Sequence, residues 1–113
     1  MRSAAPRVVA PLALMALIFW LSSQTGGGDI GEAGRIAAHA GQFGALAALW
    51  VWALGPGIGA RAIVASAVIS TLYAISDEYH QSFVPGRDAD SFDVGVDAVG
   101  IALALGAIRM TRH

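Results

Sequence analysis

Polar residues divide this chain into four apolar stretches, at about 8–23, 36–54, 61–79 and 92–109. Each approaches the roughly 20 residues that a helix needs to cross a bilayer. The first is uncharged and rich in Ala, Leu and Ile. The second has His39 and Gln42 as its polar interruptions. The third is apolar through Tyr73 and then meets Asp77-Glu78, and the fourth contains Asp93 and Asp97. Gly26-Gly27-Gly28 marks the first break, Gly55-Pro56-Gly57 a tight turn and Pro85-Gly86 the third break. The pattern predicts an all-α fold: a single domain over 1–113, folded as an integral membrane four-helix bundle with a polar pocket near the outer face.

Composition narrows the class further. The 113 residues are 56% hydrophobic and 13% charged, with mean hydropathy +0.61 and no cysteine. Soluble domains carry about 25% charged residues, and a short chain buries the smallest share of its surface. A soluble enzyme, a disordered tail and a disulfide scaffold are therefore poor fits. A net charge of −1 without a basic cluster argues against nucleic acid as a partner. Lack of cysteine removes thiolate nucleophiles and zinc–thiolate sites.

Charge also orients the spans. Arg2, Arg7, Arg61, Arg109 and Arg112 fall on one side, while Arg35 and Arg87 fall on the other with all eight acids. The positive-inside rule then places both termini in the cytoplasm of a multi-pass membrane protein. Arg2 and Arg7 ahead of an apolar run also fit the start of a signal peptide, but the Ser22-Ser23-Gln24 region is a poor cleavage pattern.

The polar interruptions share a depth. His39, Asp77 and Asp97 each lie about one turn inside the outer end of a span, roughly 6 Å down. Within spans, His39 and Gln42 are three apart; Asp77, His80 and Gln81 stand at i, i+3 and i+4; Asp93 and Asp97 are four apart. Such spacings give each helix one polar stripe. Ionisable groups in lipid are costly, so the stripes are expected to face one another. Gly34, Gly41, Gly44, Gly95, Gly100 and Gly106 are expected to let the helices approach closely.

Taken together, Ser22-Ser23-Gln24, His39, the run Ser76-Asp77-Glu78-Tyr79-His80-Gln81-Ser82-Phe83-Val84-Pro85-Gly86-Arg87, Asp93, Asp97 and Gly100 resemble the VanZ-like family. The family takes its name from an accessory protein of glycopeptide-resistance clusters associated with teicoplanin. Resemblance implies a small multi-span protein acting at the cell envelope, without implying an established reaction. Members usually carry Lys-x-x-x-His followed by Glu-Tyr. Arg35, Gln42 and Phe43 stand at those positions here, so one candidate acid is missing.

Three readings of the polar constellation follow. In the first, Gln24, Gln42, Gln81, Arg87 and Asp93 help bind an amphipathic or anionic envelope ligand: a lipid head group, a lipid-linked precursor or a lipoglycopeptide. Arg87 offers a bidentate fork for phosphate or carboxylate. In the second, the protein is a membrane-embedded enzyme, with His39, Asp77, Glu78, His80 and Asp97 as acids and bases. A variant of this reading makes His39, His80, Asp77 and Asp97 ligands of a divalent metal. In the third, the network is structural and the protein is an accessory subunit. Asp88 and Asp90 read as solvated loop acids.

Overall fold

A computed structural model describes residues 4–22, 31–83 and 91–111. Five helical segments run in order: α1 (Ala4–Arg7), α2 (Val9–Ser22), α3 (Gly31–Ile58), α4 (Arg61–Gln81) and α5 (Ser91–Thr111). Gln24, Arg87, Asp88 and Asp90 lie outside the described residues.

Helix direction alternates along the chain. Met15 of α2 pairs with Tyr73 of α4, and Phe19 with His80. Both partners advance together, so α2 and α4 are parallel. Gly44 of α3 lies against Gly100 and Ala104 of α5, and His39 against Asp97. These helices are parallel too. The result is an up-down-up-down bundle 45 Å long, in which α3 packs on every other helical segment.

The surface is more apolar than the interior requires. Val64, Val68, Leu72, Ile75 and Tyr79 are exposed on α4, as are Phe83 just after it and Val99, Leu103 and Met110 of α5. Ser66, Ser70, Asp77, Gln81 and Asp97 are buried. Water would reverse this arrangement, whereas lipid solvates the apolar exterior and drives the polar groups inward. Two helical stretches, Ala33–Ile58 and Val94–Thr111, are long and apolar enough to cross a membrane; Val9–Leu21 is a shorter apolar helix. In α4, hydroxyls and the Asp77–Gln81 end dilute the apolar content.

Three expectations change. First, Gly55-Pro56-Gly57 is not a turn. Helix α3 continues through it to Ile58, and the reversal occurs at Gly59 and Ala60. The Gly59 N–H bonds the Gly55 carbonyl at 2.8 Å, and Gly59 takes the left-handed φ of +64° that glycine adopts without steric cost. Proline at position 56 lacks the N–H that would bond the Trp52 carbonyl four residues back. The Arg7 guanidinium supplies that donor instead, with Nη1 3.0 Å from the Trp52 oxygen and the cation 4.7 Å above the Trp52 ring. The helix thus keeps its course because a distant side chain bonds the carbonyl that proline leaves without its helical donor.

Second, depths below the helix ends are unequal. Counting from the ends at Gly31, Gln81 and Ser91, His39, Asp77 and Asp97 lie about 12, 6 and 9 Å in. Third, only some glycines mediate close packing. A Cβ at Gly100 would strike the Ala40 carbonyl, and one at Gly44 would lie 3.1 Å from the Gly100 oxygen. Gly41, Gly95 and Gly106 face open space. Gly44 and Gly100 thus make a close approach at the crossing where α3 and α5 meet beside Ala40.

Candidate functional site

That crossing sets the polar site. His39 directly precedes Ala40, and Asp97 is three residues before Gly100, so both project next to the point where the backbones come closest. His39 Nδ1 lies 3.0 Å from Asp97 Oδ1. Asp97 is 2% exposed and His39 13%. A carboxylate this enclosed needs a donor, because an isolated charge in an apolar medium is costly. The imidazole supplies it. With Asp97 ionised, Nδ1 carries the shared proton, which fixes the ring orientation and leaves Nε2 as the nitrogen whose protonation changes the ring's charge.

Helix α4 brings the second acid to the same level. The rings of Phe43 and Tyr73 are 6.0 Å apart across the antiparallel α3–α4 seam. Four residues back along α3 is His39, and four residues on along α4 is Asp77. They therefore share a level, although their helix ends do not. Asp77 and Gln81 are both buried, and Gln81 Nε2 donates to Asp77 Oδ2 at 3.4 Å, a long hydrogen bond. Gln42 and Glu78 are half-buried nearby in sequence. Asp93 lies in the first turn of α5, but its side chain is outside the described residues, as are Gln24 and Arg87.

His80 departs from the expected stripe. Its ring stacks on Phe19 of α2, with centroids 4.3 Å apart and planes 26° apart. It thus serves the α2–α4 contact, while Asp77 and Gln81 turn into the bundle. Among the described residues, no three His, Asp or Glu side chains are arranged to hold a metal ion, so His39, His80, Asp77 and Asp97 do not form one donor set there.

Three contributors are not legible in the spacing of polar residues. Arg35 is half-buried and stands one turn before His39, on the same face. Its place in the usual family lysine position was a usable signal. Tyr73 hydrogen-bonds the Met15 carbonyl and ties α2 to α4. Phe19 provides the platform for His80. The last two are contacts across long sequence separations, which periodicity cannot reveal.

The fold and the buried polar level define a small all-helical membrane protein, apolar outside and ionisable within. The family described as VanZ/LLP1 matches residues 8–112, nearly the whole chain, and the protein belongs to that family. No curated protein and no solved structure matches it.

Proposed function

We propose that this protein crosses the bacterial inner membrane four times with both termini in the cytoplasm, and that its polar level binds the head of an amphipathic envelope molecule in the outer leaflet. The observation that carries this reading is the His39–Asp97 pair, enclosed in an apolar bundle and level with buried Asp77. Three helices each contribute an ionisable group to one level. A bundle that needed only stability would avoid this, because apolar replacements of a buried pair are often neutral or stabilising. Arg7, Arg61 and Arg109 occupy the opposite end, which supports the orientation.

The residues indicate which groups the head presents. Asp77, Glu78 and Asp97 accept hydrogen bonds from hydroxyls or an ammonium. Arg35 and Arg87 receive phosphate or carboxylate. A lipid head group, a lipid-linked cell-wall precursor and a lipoglycopeptide all have this mixed character. The last would connect the site to the glycopeptide resistance for which the family is named.

The test is native mass spectrometry of protein purified in gentle detergent. A lipid-sized mass should remain bound to the native chain and be lost in Asp97→Asn. A bare native chain, or equal retention by both proteins, would reject ligand binding at this level.

One observation favours a second reading. The His39–Asp97 hydrogen bond has the geometry of an oriented base, in which the carboxylate holds the ring for proton transfer at Nε2. An enzyme would lose turnover in His39→Gln while still retaining the ligand, whereas a binding module would lose retention alone.

A further inference from the structure

Three buried polar atoms lie away from the His39–Asp97 level: Trp50 Nε1, Ser66 Oγ and Ser70 Oγ. All are enclosed, and none has a hydrogen-bond partner among the described residues. Ser66 and Ser70 are 0% exposed, and Trp50 is 7%. Unpaired buried donors are costly and therefore need an explanation.

The register brings them together. Trp50 lies seven residues after Phe43 on α3, and Ser66 lies seven before Tyr73 on α4. Seven residues are nearly two full turns, so each occupies the face of its helix that carries the Phe43–Tyr73 contact. Steps in opposite directions along antiparallel helices also keep the two level. Trp50 and Ser66 therefore face one another across the seam, about 16 Å deeper than His39 and Asp77. Ser70 stands one turn above Ser66 on the same side. Ala47, Ala53, Ala62 and Ala74 are buried on the same two helices.

An indole N–H only donates, so whatever satisfies it must accept. Hydroxyls can donate or accept. Water fits both kinds of partner. An anion is disfavoured by Asp77 and Asp97 on the same bundle axis, and a metal cation by the indole hydrogen. We propose that the α3–α4 seam holds internal water bridging Trp50 Nε1 to Ser66 and Ser70. The inner face of α4 then becomes a hydrated track, from Gln81 and Asp77 down through Ser70 to Ser66. Ala74, buried between the two polar segments, carries only a methyl group there. The ligand is water itself, so the inference stands independently of what the outer site binds.

Proton NMR of protein labelled with ¹⁵N-indole in detergent micelles tests this directly. The chain has three tryptophans, and Trp50→Phe identifies the signal that belongs to Trp50. The Nε1 proton of Trp50 should show a cross-peak to water despite its burial. That cross-peak should disappear in Ser66→Ala/Ser70→Ala. Absence of the cross-peak in the native chain would overturn the proposal, as would its persistence unchanged in the double variant. A shift of the Trp50 signal when chloride is replaced by bromide would also overturn it by identifying an anion. The native-chain measurement needs no serine substitution, so failure of the variant to fold leaves it valid.

Discussion

Asp97 is the residue on which the polar level depends most. Truncation to alanine leaves the His39 Nδ1–H without its acceptor in a dry environment. The expected loss is about 1–3 kcal/mol if the imidazole is neutral and about 3–5 kcal/mol if the pair is ionic. Asp97→Asn keeps an oxygen where Oδ1 stands and should retain most of the stability. Thermal unfolding in detergent distinguishes the two; equal melting of Asp97→Ala and the native chain would show that the pair contributes nothing to the fold. That His39, Asp77 and Asp97 enter the bundle was legible in the sequence because each interrupts an apolar run; their depths below the helix ends were not, because α3 begins before its apolar run does. The direction of His80 was not. At about 100° per residue, i+3 and i+4 fall on opposite sides of residue i and about 100° from each other. Asp77 and Gln81 can thus face the interior while His80 turns toward α2, and only the position of Phe19 decides which neighbour His80 meets.

Among the elements, the α3–α5 crossing and the α3–α4 reversal carry the strongest constraints. Gly100→Ala drives a methyl group into the Ala40 carbonyl. The helices must separate, and the His39–Asp97 pair beside the crossing opens with them. Overpacking of this kind costs about 1–3 kcal/mol. Gly106→Ala meets nothing and should be within about 0.5 kcal/mol of the native chain or somewhat more stable. Parallel melting curves check the contrast, and equal losses in both variants would remove the crossing's special role. At the reversal, Gly59→Ala must hold a left-handed conformation and should cost about 1–2 kcal/mol by the same measurement. Helix number and approximate bounds were readable from apolar run length. The end of α3 was not, because Gly-Pro-Gly normally signals a break, and the compensation comes from Arg7 at a separation of 45 residues. Gly41, Gly95 and Gly106 likewise look equivalent to Gly44 and Gly100 until the crossing point is known.

For the whole molecule, alternation of helix direction puts Ser82 and Ala60 at opposite ends of the bundle. The cysteine-free sequence makes this easy to test. In intact cells, an impermeant thiol reagent should label Ser82→Cys and spare Ala60→Cys; the reverse pattern would invert the proposed orientation. The Arg7–Trp52 contact has a consequence for how the molecule can be handled and processed. The first helices are structural partners of the last turn of α3 and of the middle and end of α4, through Arg7, Met15 and Phe19. Removing residues 1–22 therefore does more than shorten the protein. It withdraws the donor that replaces the missing proline N–H, the acceptor for the Tyr73 hydroxyl and the platform under His80, three supports for a hairpin encoded far downstream. A purification tag belongs at the C-terminus, and a peptide of residues 1–22 supplied in trans should restore melting to the truncated chain, and restore less if its Arg7 is replaced by alanine.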